Sequence, residues 1–138
     1  IIILLRPHII VTALLFLGVT ANAFAHHSAT ALYDLTAPPV KITGTLKQVR
    51  WINPHIRIVI EPDDSSQFPE AWQFESQPPQ WYRRVGVSRA KFQNAVGKPV
   101  TVIGGRARDG RAFGIMFKMI FPDGSVFEMV LDSIEGQE

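Results

Sequence analysis

The feature that most narrows what this chain can fold into is a period of two. Val40, Ile42 and Leu46 alternate with Lys41, Thr43, Thr45 and Lys47, the pattern of a strand with one buried face. Gly44 within the run predicts a bulge or a sharp bend. The alternation then changes phase, because Val49 and Trp51 are the next large apolar residues, and Asn53-Pro54 signals a turn. A second strand sets Ile56, Ile58 and Ile60 against His55, Arg57, Val59 and Glu61. Beyond the polar loop Pro62 to Ser66, a third alternates Trp72 and Phe74 with Gln73 and Glu75.

Pro78-Pro79 then opens a helical stretch, since proline is tolerated in a first helical turn. Ser88 is a good N-cap for a second short helix over Arg89 to Ala95, with Gly97 placed to end it. Strands resume. Lys98 to Ala107 alternates around Val100 and Val102, Asp109-Gly110 is a turn, and Ala112 to Phe121 puts Phe113, Ile115, Phe117, Met119 and Phe121 on one face. Asp123-Gly124 is a hairpin signal, and Val126 to Leu131 is the returning strand.

Three strands, a helical connection and two or three further strands predict an all-β, mostly antiparallel domain with one or two short helices. The best match is a small barrel of five or six strands of the oligonucleotide/oligosaccharide-binding (OB) type, which closes its own edges. The alternative is an open antiparallel sheet with one helix packed across it.

Ahead of the barrel, Arg6 and His8 precede the uncharged apolar run 9–19, which is followed by small residues ending Ala23-Phe24-Ala25. Basic, apolar, then A-x-A is the order of a secretory leader cut after Ala25. The run is short for a membrane span of ~20 residues, so the alternative, a tether by an uncleaved leader, is the only membrane association expected. The organisation read from this is a signal peptide over 1–25, a flexible arm over 26–39 with a short turn at Tyr33-Asp34, the barrel over 40–131 and a tail over 132–138. The expected location is periplasmic or secreted.

Composition excludes several functions. The chain has no cysteine, which rules out disulfides, thiolate metal sites and a cysteine nucleophile. With 14 Lys and Arg against 12 Asp and Glu there is no dominant basic face, and no nucleic-acid partner is expected. Arg83-Arg84 and the Arg106, Arg108, Arg111 group read as solvated surface. No catalytic motif is present, and Glu61, Glu70 and Glu75 have no evident partner, so an enzyme is the weaker expectation.

The histidines carry the strongest chemical signal. Beyond the leader they are His26, His27 and His55. Cleavage after Ala25 gives His26 a free amine beside its imidazole, a chelate that His27 or His55 extends. Nitrogen ligands of this kind suit copper(II). Met116, Met119 and Met129 offer soft sulfur for copper(I); Met119 reads as core, leaving Met116 and Met129 freer. Trp51 and His55 can flank a pocket at the barrel mouth, with Asn53 fixing the turn and Arg57 beside it. The structural alternative has Trp51 capping the core and His55 bonded to backbone. Trp72, Trp81, Tyr82 and Arg83-Arg84 can form a stacking surface, or pack across a barrel end.

His26-His27-Ser28, Gly44-Thr45-Leu46 running into Trp51-Ile52-Asn53-Pro54-His55, Trp72, Arg83 to Gly86 and Lys98 to Gly105 together resemble a family of small exported bacterial proteins catalogued only as a domain of unknown function. The resemblance implies an exported β-rich domain and no activity. More loosely, the chain is similar to small periplasmic OB-type copper carriers, which use a His, methionines and a Trp. Two main readings follow: a metal protein using His26, His27 and His55, or a metal-independent module that binds a periplasmic protein, peptide or saccharide through Trp51, Asn53 and Arg57. A copper enzyme is the third.

Overall fold

The computed structural model describes residues 30–129, and the barrel unit begins at Tyr33. Seven strands follow in order: β1 (Tyr33–Asp34), β2 (Val40–Arg50), β3 (Arg57–Pro62), β4 (Trp72–Glu75), β5 (Pro99–Ala107), β6 (Phe113–Ile120) and β7 (Val126–Glu128). Helices α1 (Pro79–Arg84) and α2 (Arg89–Gln93) lie between β4 and β5. Five strands hydrogen-bond in the order β5-β2-β3-β4-β6, and β5 pairs with β6 to close the ring. The pairing of β4 with β6 is parallel and the others are antiparallel. This is the connectivity of an OB barrel, as the element order predicts. β7 extends the ring beyond β6, and β1 pairs with the end of β5.

β2, like every strand of the ring, serves two neighbours. Its first half pairs with β5 and its second half with β3. Gly44 is where both pairings meet, opposite Val100 and Pro62. A Cβ there would stand 2.1 Å from the Glu61 carbonyl oxygen, so the residue is a point of backbone contact. The bulge expected at Gly44 falls instead between Leu46 and Gln48. It explains the phase change in the sequence: one inserted residue moves the apolar set to the next parity.

A second register shift corrects the reading of β6. Ile103 opposes Lys118 and Gly104 opposes Met116, so Phe117 is the extra residue. Gly114, Met116, Met119 and Phe121 therefore point inward, while Phe113, Ile115 and Phe117 lie half-buried on the outer wall. There Tyr33 stacks on Phe113 at 5.8 Å, and Leu35, Phe117 and Ile115 all crowd the place where a Cβ of Gly105 would stand. Tyr33-Asp34, expected as a turn, is the short strand β1 because this apolar strip gives Tyr33 a place to bury.

Ile42, Leu46, Ile56, Ile58, Ile60, Phe74 and Val102 fill the interior with the inward methionines. The helices close one end. Pro78 and Pro79 start α1, and Ser88 caps α2 by accepting from the Lys91 amide at 3.2 Å. α2 stops at Gln93, two residues short of the expected Ala95, and the chain turns to Gly97, whose amide donates to the Leu46 carbonyl at 2.7 Å.

Substituting Gly44 with Val forces the β2–β3 backbones apart at the shared position. The expected cost is about 3 kcal/mol or more, read as a lowered urea midpoint with an unchanged slope.

Candidate functional site

The β2–β3 connection runs Trp51-Ile52-Asn53-Pro54-His55-Ile56, with a cis peptide between Asn53 and Pro54. Ile52, Asn53 and Pro54 form its exposed tip, while Trp51 and His55 at its two feet are half-buried. The second foot is sewn to the chain leaving β4. The Ile56 amide donates to the Gln77 carbonyl at 3.2 Å, and the Ser76 amide donates to the Ile56 carbonyl at 2.9 Å.

His55 Nδ1 lies 3.0 Å from the Ser76 carbonyl oxygen. A carbonyl only accepts, so the proton sits on Nδ1. In the neutral ring the lone pair is then on Nε2, the arrangement found at metal-ligating histidines. One strand step further, Arg57 and Glu75 form an ion pair at 3.3 Å across β3 and β4.

Trp51 belongs to a different environment. Its indole packs on Tyr82 and on Phe92, each at 5.3 Å between ring centres. Tyr82 in turn meets Phe92, Phe127 and Trp81. This aromatic plug seals the barrel end. Its polar atom is accounted for, since the Tyr82 hydroxyl hydrogen-bonds Ser76 Oγ in the interior. Ser76 is thus tied twice: its hydroxyl meets the plug and its carbonyl holds His55. Sequence reasoning missed this residue. The available signal was its parity, because Ser76 continues the inward positions Trp72 and Phe74 with a polar side chain.

The other sequence candidates resolve as follows. Asn53 is exposed at the loop tip and Arg57 is engaged by Glu75. His26 and His27 lie outside the described residues. Met116 and Met129, read as freer sulfur ligands, are buried instead, and Met129 Sδ accepts from Gln77 Nε2 at 3.2 Å. The reason is the β6 shift, which turns Met116 inward. Of the two readings of Trp72, Trp81 and Tyr82, packing across a barrel end is the one found for Trp81 and Tyr82, rather than a stacking surface: Trp72 and Tyr82 are buried, and Trp81 sits edge-on against Tyr82 and Phe127. Of the carboxylates without a catalytic partner in the sequence, Glu61 pairs with Lys47 and Glu75 with Arg57, each at 3.3 Å. Among the described residues no group of three or more His, Cys, Asp and Glu side chains is placed to hold a metal ion.

The chain belongs to the family of unknown function DUF6152, whose model matches residues 14–117. That span contains His26-His27, the Trp51–His55 loop and both helices. No curated protein and no solved structure matches the chain.

Two outcomes follow from the plug. Trp51→Ala should cost about 3 kcal/mol, and Tyr82→Phe about 1–2 kcal/mol by stranding the Ser76 hydroxyl, both measurable by urea unfolding. Tyr33 and Tyr82 are the only tyrosines of the chain, and both hydroxyls are pushed well above the ordinary phenol range, chiefly by burial. Above pH ~10 the unfolded chain releases phenolic protons that the folded chain keeps. The tyrosine contribution to stability is therefore complete below that pH and falls as pH rises through and above it. Ultraviolet titration should show native tyrosines ionising later than those of the urea-unfolded chain.

Proposed function

We propose that this barrel is an exported metal-binding protein that takes copper(II) through His26, His27 and His55. The observation that carries the reading is the His55 ring, oriented by the Ser76 carbonyl with Nε2 left as the ligating nitrogen. A ligand held this way keeps its tautomer and direction before the metal arrives, and such outer-shell support is worth roughly 10–100-fold in affinity.

The remaining nitrogens come from the N-terminal side. Cleavage after Ala25 provides the His26 amine and ring, and His27 follows directly. Two or three nitrogens favour copper(II) over the other divalent first-row ions by the Irving–Williams order. The α-amine, with a reference pKa of about 8, must lose its proton to the metal, so binding weakens as pH falls. Trp51 anchors the loop that carries His55; its indole is committed to Tyr82 and Phe92. The role that follows is storage, delivery or sensing of the metal in the periplasm, without turnover.

Copper(II) titration of three proteins tests this: the chain beginning at His26, the same chain with a few residues added before His26, and the chain beginning at His26 with His55→Ala. Affinity should fall at least about tenfold in each altered form. Equal affinity in the extended form would remove the N-terminal chelate. Equal affinity in the alanine form would remove His55 from the site, and equal affinity in both altered forms would replace the proposal with the metal-independent reading of Trp51, Asn53 and Arg57 as a partner-binding rim.

A further inference from the structure

We propose that the helical end of the barrel docks on an anionic phospholipid surface, independently of any metal. Between Glu75 and Asp109 the sequence contains no acidic residue and seven basic ones. Five of these, Arg83, Arg84, Arg89, Lys91 and Lys98, lie on α1, on α2 or between α2 and β5. Arg50 joins them where β2 enters the loop to β3, since the Trp51 beside it packs on Tyr82 of α1 and Phe92 of α2. Among the described residues none of the six is in an ion pair, although five other ion pairs form in the barrel unit.

The same end carries exposed aliphatic side chains. Ile52, Val85 and Val126 are each about half exposed, and Val96 is exposed as well. Ile52 is at the loop tip, Val85 ends α1, Val96 follows α2, and Val126 opposes Ile120 where β6 leaves the barrel at this end. Lys91 and Lys98 also border a shallow hollow with Asn94, Phe121 and Asp123. Asp123 borders the same hollow; its carboxylate accepts from the Ser125 hydroxyl at 2.6 Å and amide at 2.9 Å and also feels the Lys91 charge.

Charge complementarity and side-chain type choose the occupant. Cations outside ion pairs seek an anionic surface, although Lys91 already lies over the Phe121 ring at 4.7 Å, and aliphatic tips among them suit the boundary between headgroups and acyl chains. A single-stranded nucleic acid would need exposed aromatic faces, whereas Trp51, Tyr82, Phe92 and Phe127 are turned onto one another. The opposite end bears Asp63, Asp64, Glu70 and Asp109 on its connecting loops, but Arg108 and Arg111 stand among them and Arg111 pairs with Asp109. Charges of both signs therefore offset there, while the helical end carries a basic excess that an anionic bilayer attracts. Among the described residues no helix is long and apolar enough to cross a membrane, and the contact is peripheral.

Vesicle flotation of the full chain tests the proposal, comparing phosphatidylcholine alone with phosphatidylcholine plus phosphatidylglycerol. The expected result is at least about fivefold more protein on the anionic vesicles, reversed by ~0.5 M salt. The triple variant R83E/R84E/R89E should lose this gain, and I52D/V85D should reduce it. The control K41E/R106E/R111E changes charge equally away from the helical end and should keep it. Thermal melts confirm that each variant is folded. Binding through the apolar run 9–19 would appear equally on both vesicles and in all variants, so only the anionic gain is read. Equal binding to the two vesicles, an unchanged gain in R83E/R84E/R89E, or preference for an oligonucleotide over the anionic vesicles would overturn the proposal.

Discussion

Everything else in this barrel depends on the seam where β5 meets β6. Five strands form a ring only if the last pair approaches backbone to backbone, and here Gly104 makes that approach. A Cβ at this position would fall 2.1 Å from the Ile115 carbonyl oxygen and 3.1 Å from the Phe74 ring. Closure removes the free sheet edges that a lone sheet of this size would present. It also makes β4 and β6 parallel neighbours, which obliges the chain between β4 and β5 to cross the barrel end. α1 and α2 occupy that crossing. The aromatic plug, the Ser76 anchor and the basic end are consequences of it.

The strands were legible in the sequence because half-burial writes a period of two, and the order of elements carried the barrel with it. What the alternation could not reveal is register. The extra residue near Lys47 leaves a visible trace, since Val49 and Trp51 fall out of phase. The one at Phe117 leaves none: Phe113, Ile115 and Phe117 are as apolar as the core residues between which they stand. Both faces of β6 are covered, one by the interior and the other by Tyr33 and Leu35, so hydrophobicity no longer distinguishes in from out. The wrong assignment of Met116 follows directly.

At the site, the sequence identified the loop and both of its feet, but not what fixes them. His55 is oriented by a backbone carbonyl of residue 76, and no side-chain type encodes that bond. Trp51 was readable either as a pocket wall or as a cap, and the choice was made by Tyr82 and Phe92, which only the helical crossing brings beneath it. Arg83 and Arg84 are exposed, as a solvated-surface reading expects; what the sequence does not display is that the helical crossing gathers them with Arg89, Lys91 and Lys98.

Among the described residues the barrel interior is occupied by side chains. Ile42, Ile58, Phe74, Met116 and Met119 fill it completely enough to be fully or almost fully shielded from solvent. The described barrel offers its outer wall and its two ends to solvent, and the ends are not equivalent. One is formed by the connections 63–71 and 108–112, held by turn hydrogen bonds such as those of Asp64 and Asp109. The other is braced from within by stacked aromatic rings and by a Ser76 that links the plug to His55. A ligand nitrogen must be held in direction as well as in position, and that demand is met where the loop foot is bonded to backbone on both sides. The rigidity that closes the barrel end also fixes the direction of the His55 ring through the Ser76 carbonyl, the geometry on which the proposed metal site rests.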